Sequence, residues 1–164
     1  MAWFSTKFSE PGGELVSGRH CSAPAALVFR WICQLRAAPY SYDWLDNFGQ
    51  QSPPNLIDGL DQLRIGQKVM MIFRVHDFSI GSYLTLVPWP RRSLLSSELR
   101  ITYLCAPVGK NQTRLRVRVQ ISYPRHFFRP IVCSLLPLGD LFMMRKQLLT
   151  LKELAERSQS GGKI

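Results

Sequence analysis

Apolar and polar residues alternate strictly over residues 113–123, where Leu115, Val117, Val119 and Ile121 are interleaved with Arg114, Arg116, Arg118 and Gln120. A period of two marks a strand with one buried and one wet face, and it predicts an antiparallel sheet covered on one side. Three more strands are expected before it, over 68–75, 82–89 and 98–105, and the turn Val108-Gly109-Lys110-Asn111 joins the last two as a hairpin. Elsewhere the period is helical. Leu27, Val28, Trp31, Ile32 and Leu35 form one apolar face. Ser22 is the expected N-cap of that helix, Pro24 falls in its first turn, and Pro39 ends it. Leu56, Leu60 and Leu63 predict one or two helical turns ending near Gly66. A long helix is expected over 138–157, with Leu138, Leu141, Met144, Leu148, Leu151 and Ala155 in one stripe and Phe142 and Leu149 beside it. The start of the chain reads as a loose arm with one short strand over 14–21.

The order is helix, antiparallel strands, long C-terminal helix. The expected fold is therefore α+β, a curved antiparallel sheet wrapped around the last helix. A strongly twisted sheet leaves a gap against a helix, and that gap is the expected apolar cavity. The 164 residues, 46% of them hydrophobic, suit one domain with a proper core. The division read from the chain is an arm over 1–18, a domain over 19–157 and a polar tail over 158–164. No apolar run reaches the roughly 20 residues that span a bilayer, and Met1 to Lys7 lack the apolar stretch of a secretory signal. The expected compartment is the cytoplasm.

The segment from Ala38 to Pro53 carries the most chemistry. It places Tyr40, Tyr42, Trp44, Phe48, Asp43, Asp46 and Asn47 between the first helix and the strands. Rings and a few polar groups at that point suit the mouth of an apolar pocket. They also suit a loop whose rings cap the core. Cys21, Cys33, Cys105 and Cys133 form no C-x-x-C pair, and His20, His76 and His126 are isolated, so no metal site and no cofactor are expected. No nucleophile-elbow or phosphate-loop motif is present. The formal net charge is +10, and Glu98 is the only acidic residue between Phe78 and Gly139. A one-signed field attracts anions. The same charge is equally that of a solvated sheet face.

The stretch Ala23-Pro24-Ala25-Ala26, Trp31, the run from Ala38 to Asn47, Gly59-Leu60 and Gly66-Gln67 resembles a bacterial branch of the START-like superfamily, also called SRPBCC. The likeness runs from about Arg19 to Arg157. It implies a helix-grip fold with a seven-stranded antiparallel sheet and a cavity for lipids, polyketides or other hydrophobic molecules. Some relatives are polyketide cyclases or dehydrases and others only bind or carry, so no catalytic residue carries over. Five strands are visible here, and the other two must hide between Ala38 and Gly66 or be very short.

Three functions follow. The first is binding or transport of a hydrophobic small molecule, lined by Met71, Phe73, Tyr103, Val117, Val119, Leu141 and Met144, with Tyr40, Tyr42 and Trp44 at the entrance. The second is cyclase or dehydrase chemistry, for which Asp43, Asp46, Asp77 and His76, with Tyr40 and Tyr42, are the available acids and bases. Against it, Asp-Trp-Leu-Asp-Asn also suits a turn held by carboxylate-to-backbone bonds. The third is contact with an anionic membrane through Arg114, Arg116 and Arg118. Nucleic acid is a weaker fit, because no aromatic lies among these arginines.

Overall fold

The computed structural model describes residues 4–9, 12–42, 49–70, 72–89, 98–122 and 129–161. Side chains are described over 16–42, 49–70, 72–89, 99–120 and 143–161. The chain forms β1 (Phe4–Ser9), β2 (Gly12–Cys21), α1 (Ala25–Cys33), a 3-10 turn (Gln34–Arg36), β3 (Lys68–Val69), β4 (Phe73–Ser79), β5 (Tyr83–Pro88), β6 (Glu98–Gly109), β7 (Gln112–Ser122) and α2 (Arg129–Gly161). The seven strands make one antiparallel sheet in the order β1-β2-β7-β6-β5-β4-β3. The fold is α+β and helix-grip in arrangement, with α1 and α2 on one face of the sheet.

The alternation over 113–123 appears as β7. Thr113, Leu115, Val117 and Val119 are buried, whereas Arg116, Arg118 and Gln120 are exposed. In β6 the inward residues are Ile101, Tyr103 and Cys105, and they sit opposite Val119, Val117 and Leu115. Such facing pairs are the unit of sheet stabilisation. β2 pairs along the other side of β7, from Cys21↔Thr113 to Gly12↔Ser122.

Several elements depart from the sequence expectation. The arm before residue 19 is a hairpin, because β1 pairs β2 from Phe4↔Ser17 to Ser9↔Gly12. The expected single strand over 68–75 is two strands, β3 and β4, reversed through Met70, whose φ is 51°. Left-handed backbone costs a side-chain-bearing residue about 1–2 kcal/mol. Met70 is held there in part by its N–H, which donates to Leu35 O at 3.1 Å. The two unseen strands are thus β1, at the chain start, and the two-residue β3. Residues 58–61 are turn rather than helix.

Ser22 is not the cap of α1. Pro24, with ψ at 148°, is the N-cap, and its carbonyl accepts from the N–H of Leu27 and Val28. The residue before a proline is driven out of the helical region, so the helix cannot start earlier. Ser22 instead donates its backbone N–H to Glu156 Oε1 at 2.7 Å. α2 begins at Arg129 and contains Pro137, whose missing N–H made 138 look like the start. It also runs past the expected end at 157. Ser158 lies in this added turn, and its hydroxyl accepts from Trp31 Nε1 at 3.2 Å.

On its inward side α2 buries Leu148, Leu151 and Ala155 completely. Replacing Leu148 with Ala should therefore cost about 2–5 kcal/mol in chemical denaturation, the usual range for a buried leucine. Glu153→Ala, on the exposed side of the same helix, should stay within about 0.5 kcal/mol of the parent.

Candidate functional site

The site grows from the end of α1. After the 3-10 turn the chain passes through Ala38 and Pro39 into Tyr40, whose φ is 55°. Tyr40 is buried and stands edge-on to Trp31, with ring centroids 6.1 Å apart and planes at 87°. That edge-to-face geometry is the favourable one for aromatic pairs. Strained backbone persists where the surroundings over-determine it. Here the surroundings include Gln147 of α2, whose Nε2 donates to the Pro39 carbonyl at 2.5 Å. Its Oε1 accepts from the Tyr103 hydroxyl at 2.6 Å. One buried amide thus links the helix, the sheet and the aromatic segment inside an apolar interior.

A second amide holds the connection between the 3-10 turn and β3. Gln34 is buried; its Nε2 donates to Ile57 O at 3.1 Å and its Oε1 accepts from Ile57 N–H at 3.0 Å. Beside it Arg36 Nη1 donates to the carbonyls of Gly59, Leu60 and Gln62 at 3.3, 2.8 and 3.3 Å. Arg30 adds ion pairs to Asp58 and Asp61 at 3.5 and 3.7 Å. These contacts fix the far part of a long connection, and connections of that length are usually functional or disordered.

Along the inner face Leu115, Val117, Val119 and Leu148 are buried, and Met144 and Leu154 of α2 keep 9% and 8% exposure. On β4 and β6, Phe73 and Leu99 are half-buried, whereas Val75 and Tyr103 are buried. Phe73, Leu99 and Met144 lie toward the end where α2 enters the sheet. The opposite end is closed by α1, by the Ser22–Glu156 and Trp31–Ser158 bonds, and by the Thr113 hydroxyl, which donates to Ala23 O at 2.7 Å.

Of the expected lining, Tyr103, Val117, Val119, Met144 and Phe73 meet on this inner face. Tyr40 is buried beside them and Tyr42 is half-buried. Trp44, Asp43, Asp46 and Met71 lie outside the described residues, as does the side chain of Leu141. Asp77 pairs with Thr85 on the outer face, where it accepts from Tyr83 Oη at 2.8 Å and from Phe78 N–H at 2.8 Å. That bond also raises the Tyr83 hydroxyl pKa. His76 sits at the irregularity between Val75 and Asp77. Gln147 and Gln34 were not singled out from the sequence. For Gln147 a signal existed: it is a polar residue at an inward position of the helical stripe, between Met144 and Leu148 and one turn before Leu151.

Cys21, Cys33 and Cys105 are free and buried. Burial, with Glu156 adding to it, pushes the Cys21 thiol up to about 11. Burial likewise pushes Cys33 and Cys105 up to about 12, with smaller rises from Asp61 at Cys33 and from the neighbouring thiols at Cys105. Among the described residues no three His, Cys, Asp or Glu side chains converge as metal ligands.

No family model matches the chain, and no curated protein does. Solved structures do match. A conserved protein of unknown function from Enterococcus faecalis, EF2215, aligns with TM-score 0.52 at 14% identity over 93% of this chain and 77% of its own. Protein CV1439 from Chromobacterium violaceum aligns with TM-score 0.53 at 16% identity over 87% and 96%. A protein from Arthrobacter aurescens aligns with TM-score 0.54 at 12% identity over 93% and 91%. At these identities the likeness is one of fold alone. Among the described residues no helix is long and apolar enough to cross a membrane.

Two predictions follow from the buried groups. Gln147→Leu should destabilise the protein by about 1–3 kcal/mol, since the Pro39 carbonyl loses its donor. Tyr103→Phe should then cost less in the Gln147→Leu background than alone, measured as a double-mutant cycle. The three thiols should resist alkylation at neutral pH until the protein is denatured. Unfolded thiols ionise near 9.0 and the folded ones near 11 to 12. Their contribution to stability is thus whole below pH 9 and is lost as pH rises through that window, which a pH series of denaturant melts would register.

Proposed function

We propose that this chain binds or carries a hydrophobic small molecule, of the lipid or polyketide type, between α2 and the inner sheet face, as a START-like protein. The observation that carries the reading is Gln147. It places a buried, hydrogen-bonding amide next to Tyr103 and the Tyr40 segment, inside an otherwise apolar interior. Small-molecule sites are mostly apolar with a few placed polar groups. The ligand's carbon skeleton lies against Val119, Met144 and Phe73, and its polar end faces the Tyr103–Gln147 pair. Methionine suits such a wall because its flexible side chain fills irregular space.

Acid–base catalysis is the less favoured reading. Asp77 faces away from the interior and is engaged by Tyr83 and Phe78. Native mass spectrometry of the purified protein tests the binding reading, with a retained lipid or metabolite as the expected result. A hydrophobic probe such as ANS should bind the folded protein and be displaced by fatty acids. Val119→Trp should weaken that binding about tenfold while the melting temperature holds, because open space accepts volume that a packed core rejects. A folded wild type that takes up no probe, or a Val119→Trp variant that unfolds, would remove the reading.

A further inference from the structure

The outer sheet face carries chemistry that the proposed ligand site does not use. On β7, Arg114, Arg116 and Arg118 project outward about 7 Å apart, the two-residue repeat of a strand. Register places Gly18 of β2 directly opposite Arg116. A side chain at Gly18 would come within 3.3 Å of Arg116 Cγ, so the glycine leaves that stem room to lie across β2. Arg100 on β6 adds a fourth cation opposite Gln120. At the far side of the same face Arg74 and Lys68 are paired across β4 and β3. Register also places Glu14, opposite Gln120, and Glu98, opposite Ser122, on this face, and Asp77 is engaged by Tyr83, so these six basic residues stand against three acidic ones.

The Arg74 end of the face is also apolar. Trp89 is 53% exposed and Ile72 58% exposed, and they adjoin, since Trp89 N–H donates to Ile72 O at 2.7 Å. The Arg74 guanidinium lies 4.1 Å from the Trp89 ring centroid. Tryptophan beside a cation and an exposed aliphatic is the composition that settles at a bilayer interface. A polynucleotide would use the open faces of aromatic rings for base stacking, but one face of Trp89 is covered by Arg74, and Ile72 offers a phosphate backbone nothing. Charge and apolar exposure together favour a lipid surface.

We propose that the outer sheet face is a docking surface for an anionic lipid bilayer, with the arginine stripe on the head groups and Trp89 and Ile72 in the interface. This does not depend on the ligand site, and its test reads vesicle binding whether or not a ligand is present. Co-sedimentation should show binding to vesicles of phosphatidylcholine mixed with phosphatidylglycerol, little binding to phosphatidylcholine alone, and a steep loss with salt. Changing Arg114, Arg116 and Arg118 together to glutamine should lower the partition coefficient on the order of 100-fold, since basic groups near an anionic surface contribute about fivefold each. Arg100→Gln with Arg116→Gln, a second variant should the triple change disturb folding, should lower it about 20-fold. Trp89→Ser should lower it about tenfold even at low salt, with the arginines intact. Unchanged melting temperatures establish that the variants are folded. The proposal is overturned if the wild type ignores anionic vesicles, if binding survives the arginine variants, or if a polynucleotide of mixed sequence binds through these arginines while vesicles do not.

Discussion

The broad apolar surface of the sheet is its inner face, and the long helix, with α1 beside it, covers it. β7 stands between β2 and β6, so its inward residues Leu115, Val117 and Val119 form the middle of the face that α2 must fill. Leu148, Leu151 and Ala155 fill it, with Trp31 and Ile32 of α1 alongside. Apolar burial is non-directional and would tolerate some sliding of the helix. The polar contacts remove that freedom. Ser22 to Glu156, Trp31 to Ser158 and Thr113 to Ala23 all lie at one end of the sheet and pin both helices there.

Inside this frame two amides do what apolar side chains cannot. Gln147 and Gln34 each join a backbone carbonyl or peptide to a helix across a long sequence separation. Buried polar groups are costly unless satisfied, so each holds its partner in one place. The left-handed Tyr40 is the visible cost of that placement, because it belongs to the turn that brings the Pro39 carbonyl to Gln147. The proposed ligand site inherits its polar end from this arrangement rather than from any charged group.

The two faces of the sheet are independent of one another. A strand sends successive side chains to opposite sides, so β7 contributes core residues and an arginine stripe from the same eleven residues. Neither set constrains the composition of the other. A basic, partly apolar outer face can therefore coexist with an inner face given over to packing and, on our reading, to a ligand.

How much of this was legible in the chain follows from where each signal resides. Period two over 113–123 and the helical stripe through Met144, Leu148 and Leu151 are local patterns tied to backbone geometry, so the α+β class, the hairpin of β6 and β7, the long helix and the inward identity of Tyr103, Val117 and Val119 could all be read directly. What tertiary structure alone decided was non-local. Met70 and Tyr40 take a left-handed conformation that no glycine or asparagine announces, and contacts from distant residues hold them there. The β1–β2 hairpin lacks a strong period of its own and becomes part of the sheet by pairing with β7, about a hundred residues away. The start of α1 moved to Pro24 because backbone sterics before a proline outweigh the capping preference of Ser22, whose N–H found Glu156 instead. Gln147 stood in view as a polar residue on an apolar stripe, but its partners, Tyr103 and the Pro39 carbonyl, lie 44 and 108 residues away, and only the folded chain brings them within hydrogen-bonding distance.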